Sequence, residues 1–282
     1  LFDLEMGEAW RKGFHWHDVH SKELQHLNDK LKPLAQEVKR QWEEHGELNS
    51  HAQQLLEEIN QGCKKMVWQV YNEAKQLLEK NKTVALVGGD HSSPEGLIQA
   101  ICDKYNGDVG ILHIDAHCDL RQAYQGFEHS HASIMYNVMN YHTPPKKLVQ
   151  IGIRDFCKEE YDSSLQHPSI ETFWDRGLKT QLLEGKPWSV LVDEIVQHLP
   201  QNVYISFDID GLSPSFCPNT GTPVPGGLDF DQAIYLFKKL RHAGKTIVGF
   251  DLNEVAPSET PGDEWDGNVG ARLLFQLCNL CV

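Results

Sequence analysis

The sequence predicts an α/β protein of three layers, in which helices cover both faces of a mostly parallel β-sheet. Short apolar runs rich in β-branched residues alternate along the chain with longer segments of helical periodicity. This alternation is typical of parallel sheets, because each connection between parallel strands has to cross the sheet and usually does so as a helix. With 282 residues, of which 40% are hydrophobic, the chain can bury a large core within one domain.

The N-terminal part of the chain is predicted to be helical. Residues 21–45 and 47–81 are rich in Leu, Glu, Lys and Gln with helical periodicity, which predicts two long helices. We therefore divide the single domain 1–282 into a helical segment, 1–81, and an α/β core, 82–282. Because the chain does not begin with Met, truncation or processing upstream of the helical segment is one interpretation of its start.

Strands and helices are predicted to alternate through the core to the C-terminus. Strands are predicted at 83–88, 109–115, 148–153, 170–174, 203–209 and 246–252. Helices are predicted at 94–105, 131–141, 176–184, 188–198, 229–243 and 265–280. The stretch 219–227 contains several Pro and Gly residues and is predicted to be a loop, not a domain boundary.

Three of the predicted strands run into clustered carboxylates and imidazoles. The sequences are Gly-Gly-Asp-His-Ser at 88–92, Asp-Ala-His-Cys-Asp at 115–119 and Ser-Phe-Asp-Ile-Asp-Gly at 206–211. Because parallel strands bring their C-terminal ends to one edge of the sheet, we expect the following side chains to lie together there: His91, Asp115, His117, Asp119, Asp208 and Asp210. So many carboxylates at short range cannot all stay ionised unless cations hold them.

The donor types indicate which cations these would be. Oxygen and imidazole ligands without thiolates favour Mn²⁺ or a similar divalent ion over structural zinc, and six ligands suit two ions with bridging carboxylates. Side chains at i, i+2 and i+4 of an extended chain share a face, so Asp115, His117 and Asp119 are expected to converge, with Cys118 packing on the opposite side. The alternative for any single carboxylate is that it caps nearby backbone amides.

These motifs resemble those of the ureohydrolases, the arginase and agmatinase superfamily of binuclear manganese enzymes that cleave guanidino groups to urea. The most specific piece is 206–227, which is similar to the family signature over more than twenty residues. The resemblance runs from about Thr83 to the C-terminus and implies an arginase-like fold. It departs at Ser213, where the family usually carries Asp, a residue that is not among the metal ligands.

The resemblance implies a ligand set for two manganese ions per subunit. One ion would be held by His91, Asp115, Asp119 and Asp208. The other would be held by Asp115, His117, Asp208 and Asp210, so that Asp115 and Asp208 bridge the two.

The resemblance implies catalytic roles for Glu254 and His131, and the mechanism that it suggests adds a role for Asp119. Glu254 follows the predicted strand 246–252 and would pair with the substrate guanidinium, since a carboxylate can accept two parallel hydrogen bonds from it. His131 lies in a Ser-His-Ala pattern and would protonate the departing amine, with His129 as a competing candidate. The metal-bridging hydroxide that attacks the guanidinium carbon would donate a hydrogen bond to Asp119.

The substrate is predicted to be agmatine, with arginine as the alternative and then formiminoglutamate or guanidinobutyrate. The loop 120–128 lacks the Ser- and Asn-bearing element of arginases, and the segment 151–160 also resembles agmatinases. Gly211 and the pair Ser215-Phe216 look more like arginase. Arg121 could meet a substrate carboxylate, but we expect it to form a structural ion pair.

Two hypotheses of other classes are a non-catalytic relative of this family and a zinc deacetylase with a single metal ion. Retention of all six candidate ligands and Glu254 argues against the first. The Asp-x-His-x-Asp and Asp-x-Asp patterns, which favour two ions, argue against the second.

Composition limits the partners and the compartment. A net charge of −14 argues against nucleic acid and is compatible with a cationic substrate. No apolar run is long enough to span a membrane and no signal peptide is evident, so with seven cysteines in no disulfide framework we predict a cytoplasmic protein. The family resemblance implies a homo-oligomer, a trimer or hexamer. The His-rich stretch 15–20 stands apart from the other ligands, and we interpret it as a surface or oligomer contact.

Overall fold

The computed structural model describes residues 2–4, 6–17 and 21–282. Three residues of the His-rich N-terminal stretch, Asp18, Val19 and His20, lie outside the described residues. None of the helices in the described ranges combines the length and the apolar character that a membrane crossing requires.

One sheet runs through the core, and all of its neighbouring strands are parallel. In the described part of the chain its strands are β1 (Val84–Val87), β2 (Gly110–Ile114), β3 (Lys147–Ile151), β4 (Ile170–Phe173), β5 (Asn202–Asp208) and β6 (Thr246–Asn253). Their order across the sheet is β1-β6-β5-β2-β3-β4. The predicted α/β architecture with a parallel sheet is confirmed.

In the described chain, α-helices precede the first strand, connect the strands and follow the last one. They are α1 (Lys22–His45), α2 (Ser50–Glu79), α3 (Glu95–Lys104), α4 (Ile134–Met139), α5 (Lys158–Gln166), α6 (Asp175–Leu183), α7 (Trp188–Gln197), α8 (Phe230–His242) and α9 (Trp265–Leu280). Residues from α6 to α9 pack in one hydrophobic core, and residues from α2, α3 and α4 pack in a second. Both cores include side chains of the central strands, so helices cover the two faces of the sheet as the sequence predicts.

Local sequence explains where several elements begin. Asn49 caps α2 by accepting a hydrogen bond from the Ala52 amide at 2.9 Å, and Asp229 and Gln232 form a capping box at the start of α8. All five residues of β2 are buried, because this strand has a neighbour on each side and helices on both faces. A buried, doubly paired strand is a rigid base for the residues that follow it.

The elements differ from the sequence prediction in two places. Helix α5 was not predicted, because its sequence is dominated by charged and small polar residues with a weak apolar period. The helix predicted at 131–141 begins as a 3₁₀ turn, His131–Ser133, and becomes α-helical only in α4. The turn gives His131 a backbone geometry different from that of a helix interior.

Helices α1 and α2 form a hairpin, which we call the helical hairpin (residues 22–79). Its two helices share a small hydrophobic core of their own, centred on Leu31, Val38 and Ile59. Helix α2 also belongs to one of the main cores through Tyr71, Ala74 and Leu78. Helix α2 is therefore part of a main core, whereas α1 contributes to neither of the two main cores.

Candidate metal centre

The predicted ligands lie at one edge of the sheet, where the parallel strands end. His91 follows β1, Asp115 comes directly after β2, Asp208 ends β5 and Glu254 comes directly after β6. We call this region the metal edge (residues 88–92, 115–119, 206–211 and 251–254). The shared direction of the strands brings these four segments together, as the sequence predicts.

His91 faces three carboxylates through one ring nitrogen. Its Nδ1 lies 3.0 Å from Asp115 Oδ2, 3.1 Å from Asp119 Oδ2 and 3.6 Å from Asp208 Oδ2. His91 is 1% exposed, and the three carboxylates are also buried. This is the first of two groups of side chains at the metal edge.

His117 and Asp210 form the second group together with the other oxygen of Asp115. His117 Nδ1 lies 3.2 Å from Asp210 Oδ2 and 3.4 Å from Asp115 Oδ1. Asp115 therefore belongs to both groups through its two oxygens. This is the arrangement that a carboxylate bridging two cations requires.

The prediction that Asp115, His117 and Asp119 converge along one extended face is wrong. Strand β2 ends at Ile114, and the chain turns at Asp119, whose φ of 54° lies in the left-handed region. As a result Asp119 approaches His91, whereas His117 approaches Asp210. The three side chains contribute to two neighbouring groups and do not meet at one point.

Hydrogen bonds fix which nitrogen of His91 carries a proton. The Ser206 hydroxyl donates to Asp251 Oδ1 at 3.1 Å, so it accepts from His91 Nε2 at 2.8 Å. A neutral His91 then directs the lone pair of Nδ1 at three carboxylates. That contact is repulsive unless a proton or a metal cation lies between the groups. The donor set of this edge therefore fits a divalent cation with mixed oxygen and imidazole ligands.

The electrostatics of the carboxylates lead to the same conclusion. Burial, reinforced by the charge of Asp115, raises the pKa of Asp119 to about 7. Burial and the neighbouring Asp210 raise the pKa of Asp208 well above its usual range. Burial lowers the pKa of His117, but its hydrogen bonds to Asp115 and Asp210 outweigh this and raise it to about 11. Without cations the edge holds protons that metal ions would replace.

His113 is a residue of this edge that sequence analysis missed. Its Nε2 lies 2.9 Å from Asp115 Oδ2, and its Nδ1 lies 2.9 Å from Gln150 Nε2. Because the Gln150 amide is a donor, His113 Nδ1 accepts and Nε2–H donates to Asp115. His113 thus orients the shared carboxylate, and a single polar residue in the apolar run of β2, two positions before Asp115, is the signal that could have revealed it.

Behind His113 the hydrogen bonds continue into the protein. Gln150 also donates to the Cys118 carbonyl at 2.8 Å and accepts from the Thr172 hydroxyl at 3.0 Å. His113 and Gln150 are fully buried, and burial lowers the pKa of His113 and keeps it neutral. The chain Thr172–Gln150–His113–Asp115 therefore fixes the orientation of Asp115 from inside the fold.

Glu254 lies beside His91, at the same edge. Its Oε1 accepts a hydrogen bond from the His91 amide at 2.9 Å, and its φ of 63° is left-handed. Burial raises the pKa of Glu254 to about 7. The Thr220 hydroxyl donates to the Glu254 carbonyl at 2.9 Å, so the predicted loop 219–227 packs against this residue. A half-buried carboxylate of this kind favours a cationic partner.

The segment between Leu120 and His131, here called the mouth loop, carries the two competing histidines. His129 Nδ1 lies 2.9 Å from Glu95 Oε2, which makes His129 a partner of a buried carboxylate. His131 has no such partner in the described chain and packs edge-on against Tyr124, with ring centroids 5.9 Å apart. Burial lowers the pKa of His131, so that its ring is neutral at neutral pH. Of the two histidines, His131 is therefore the one that no buried carboxylate holds within the described chain.

Two minor predictions agree with the structure. Arg121 forms an ion pair with Glu160 of α5, with Nε 3.4 Å from Oε2. Cys118 is buried among apolar side chains, and burial raises the pKa of its thiol, so it is not a nucleophile.

A sequence model of the arginase family matches residues 21–279. The chain belongs to the arginase family. The match begins well before Thr83, where the resemblance of the sequence motifs starts, and so includes α1 and α2.

Alignments with named relatives cover about two thirds of this chain. An N(1)-aminopropylagmatine ureohydrolase of Thermus thermophilus is 36% identical over 189 residues, which are 67% of this chain and 60% of that protein. The mitochondrial agmatinase of Gallus gallus is 36% identical over 204 residues, 70% of this chain and 55% of that protein. The chain spans about three fifths of the length of the first curated relatives it matches.

Solved structures of the same fold include two arginases. The arginase of Medicago truncatula superposes with a TM-score of 0.65 at 26% identity, covering 80% of this chain and 69% of that one. The arginase of Bacillus subtilis gives 0.66 at 22% identity, covering 79% of this chain and 80% of that one. The predicted arginase-like architecture is therefore confirmed.

Proposed function

We propose that this chain is a manganese-dependent hydrolase that cleaves the guanidino group of a small substrate and releases urea and an amine. The observation that carries the proposal is the bridging position of Asp115, whose two oxygens belong to two adjacent groups of buried imidazoles and carboxylates. Two cations sharing a carboxylate are suited to activating water for attack on an unreactive carbon. Membership of the arginase family supports the same reaction class.

The ligand assignment rests on the distances within the two groups. His91, Asp115, Asp119 and Asp208 would hold one Mn²⁺, and Asp115, His117, Asp208 and Asp210 would hold the other. The proximity of Asp208 to His91, at 3.6 Å, supports its place in the first set. His113 is excluded from both sets because its Nε2 donates to Asp115. When bound, the two ions would lower the pKa of a water molecule and so make it a nucleophile near neutral pH.

The protein's own residues would orient the substrate and move its protons. Glu254 would accept hydrogen bonds from the guanidinium, whose charge favours the ionised carboxylate despite its raised pKa. Asp119 would accept a hydrogen bond from the attacking water. The neutral ring of His131 would take up a proton and deliver it to the departing amine nitrogen.

The names of the relatives point to agmatine and to N(1)-aminopropylagmatine, and we place agmatine first. Relatives from Gallus gallus and Cronobacter sakazakii are named agmatinases. The pairing of Arg121 with Glu160 removes the one cation of the early mouth loop that could meet the carboxylate of arginine, the alternative substrate. A cytoplasmic location and assembly into trimers or hexamers stay predictions.

The test is urea release by the Mn²⁺-loaded protein from agmatine, arginine and 4-guanidinobutyrate, together with metal content. We expect turnover and two manganese ions per chain. Glu254→Gln should lower kcat/KM by roughly a hundredfold or more without loss of metal, since it removes the charge that pairs with the guanidinium. Glu259→Gln, at an exposed position a few residues later, is the matched control and should leave turnover unchanged. Two bound ions without urea from any guanidino compound would favour a non-catalytic relative.

A further inference from the structure

The tip of the mouth loop is a tight turn. Tyr124 and Phe127 exchange two backbone hydrogen bonds, of 3.2 and 2.9 Å, across Gln125 and Gly126. The two central residues have positive φ values of 53° and 88°, which are typical of a two-residue turn. The turn therefore holds its own shape, and its position in the protein depends on what it contacts outside the loop.

Helix α2 holds this turn through one buried side chain. Asn60 Nδ2 donates to the Gly126 carbonyl at 3.1 Å, and Asn60 Oδ1 accepts from the Glu128 amide at 3.1 Å. Because a carbonyl can only accept and an amide N–H can only donate, both ends of the Asn60 side chain match the loop. Asn60 is 7% exposed, so water competes little for these bonds. Gly126 also lies on Leu56 of α2, so closely that a β-carbon at position 126 would overlap that side chain.

The same turn carries the ring that packs against His131. Tyr124 begins the turn, and its ring lies edge-on to the His131 imidazole with centroids 5.9 Å apart. At the base of the loop the Arg121 amide donates to the Ala132 carbonyl at 3.1 Å, which keeps the two ends of the loop together. A displacement of the turn would therefore move Tyr124, and with it the ring against which His131 rests.

A cavity beside the mouth loop leaves room for such a displacement. Its volume is about 540 Å³, and its lining includes Tyr124 and His131 of the loop, Asn60 of α2, and Lys32 and Lys39 of α1. Close packing fixes a segment only where side chains fill the space around it. On the side of the cavity, the position of the loop therefore depends on directional hydrogen bonds such as those of Asn60.

We propose that Asn60 is a positioning residue for proton delivery to the departing amine, because it seats the turn 124–127 on α2 and so keeps Tyr124 against His131. The inference rests on the proposed function, in which His131 protonates the leaving nitrogen. A proton donor has to lie within hydrogen-bond reach of its target, and a misplacement of about 1 Å can lower a rate by on the order of a hundredfold. The two hydrogen bonds of Asn60 go to the loop backbone, so its effect should fall on proton transfer and not on the metal ions.

The first experiment varies the leaving group in the Mn²⁺-loaded full chain. Agmatine releases an alkylamine, whose nitrogen has to be protonated as the C–N bond breaks, whereas 3-guanidinooxypropylamine releases a weakly basic alkoxyamine that needs less help from an acid. Asn60→Leu should lower kcat for agmatine by about tenfold or more, with KM and the kcat for the alkoxyguanidine changed by less than about twofold. Arginine and canavanine form the equivalent pair if arginine is the substrate. An equal loss with both members of the pair would mean a general disturbance of the site and would overturn the inference.

A second experiment tests whether Asn60 acts through His131. In His131→Ala the proton donor is absent, so adding Asn60→Leu should lower kcat for agmatine by less than about twofold further. If the losses of the two single variants multiply in the double variant, Asn60 acts independently of His131 and the inference is wrong.

Two further variants separate the hydrogen bonds from packing and from the choice of helix. Asn60→Asp keeps the shape of the side chain but places an oxygen opposite the Gly126 carbonyl, so it should cause the same loss, dependent on the leaving group. A kcat equal to that of the wild type in Asn60→Asp would contradict the role of the amide. Asn72→Leu makes the same substitution as Asn60→Leu at a partly exposed asparagine of α2, twelve residues further along, and should leave both substrates unaffected.

Amide hydrogen exchange separates failure of the inference from failure of the proposed function, because it requires no turnover. In Asn60→Leu the amides of the mouth loop should exchange about tenfold faster, whereas those of β2 and β5 should not change. Unchanged exchange in the loop would show that Asn60 does not hold it, and would overturn the inference while leaving the hydrolase intact. Absence of urea from the wild-type chain would overturn the proposed function and the role in proton delivery, and faster exchange would then support only the attachment of the loop to α2.

Discussion

The metal edge and the helical hairpin differ in how far their charged side chains are exposed to water. At the metal edge, Asp115 and Asp210 are each 1% exposed and have imidazoles and other carboxylates as neighbours. On the hairpin, charged pairs such as Lys30–Glu58 lie in water, with side chains 59% and 43% exposed. Buried charges without compensation are costly, whereas solvated pairs contribute little to stability. The metal edge therefore depends on its ligands, and the hairpin can change its charges without loss of fold.

The two regions also differ in the size of the core behind them. The metal edge ends strands that belong to the two large hydrophobic cores, whereas α1 packs on a core with three buried members among the described residues. They meet at the mouth loop, where Trp42 Nε1 donates to the Gln125 carbonyl at 2.7 Å and Asn60 Nδ2 donates to the Gly126 carbonyl at 3.1 Å. The rigid metal edge is thus joined to a less firmly held helix through the loop that carries His131.

The largest expected effect comes from removing the shared carboxylate. Asp115→Asn should reduce manganese content below two per chain and lower urea release by roughly a thousandfold or more, because both groups lose their common charged ligand. Metal analysis and steady-state rates measure this. Asp155→Asn is the control, since that side chain is 68% exposed and 3.9 Å from His117 Nε2. An Asp115→Asn protein that still holds two ions would disprove the bridging role.

The buried chain behind Asp115 should give the next largest effect. Gln150→Leu leaves the Cys118 carbonyl and His113 Nδ1 buried without a donor, so the free energy of unfolding should fall by about 2–4 kcal/mol. Manganese affinity should fall by roughly ten- to a hundredfold, because Asp115 is no longer oriented. Urea denaturation and metal titration test both effects. Thr172→Val removes a single hydrogen bond and should cost about 1 kcal/mol. If Thr172→Val lowered the free energy of unfolding and the manganese affinity as much as Gln150→Leu does, the orientation of His113 would not matter.

The pH dependence of the metal-free protein should be smaller but distinctive. The pKa values of Asp119 and Glu254 are raised to about 7 in the fold, so the folded state binds more protons than the unfolded chain between about pH 4 and 7. The stability that these carboxyls contribute is therefore present below pH 4 and is lost as the pH rises through 7. We expect the free energy of unfolding to fall by on the order of 1–2 kcal/mol between pH 5 and 8. Thermal unfolding at a series of pH values measures this change.

Two comparisons test this origin of the pH dependence. Saturating Mn²⁺ should reverse the trend, because the ions bind the deprotonated carboxylates. Asp119→Asn should weaken the trend in the metal-free protein. A metal-free protein that becomes more stable from pH 5 to 8 would contradict the prediction.

The smallest expected effect lies in the helical hairpin. Trp42→Phe keeps an aromatic ring and removes the hydrogen bond to Gln125, so it should lower the free energy of unfolding by about 1 kcal/mol. Amide hydrogen exchange should accelerate in α1 and stay unchanged in β2 and β5. Trp68→Phe, at a ring that is 59% exposed, is the control. Faster exchange at the metal edge as well would mean that the two regions are not separate units of stability.

Much of the fold follows from the sequence because periodicity is a local property. The apolar, β-branched runs before Gly88, Asp115 and Asp208 predict strands, and helical spacing predicts α1 and α2 within a few residues. The common direction of parallel strands then predicts that the segments after them share an edge. Helix α5 escaped prediction because its local pattern is polar, and its position depends on packing against β4.

The sequence by itself determined the strand and helix order, the edge at which the carboxylates and imidazoles gather, and the residue types that suit a divalent cation. Only the tertiary structure decided that His117 faces Asp210 while Asp119 faces His91. It also decided that His113 orients Asp115, and that lysines of α1 line the same cavity as His131. The physical reason is distance along the chain. Spacing fixes which face a side chain takes within its own element, whereas its partners come from segments far away in sequence, and a single left-handed residue such as Asp119 redirects the chain.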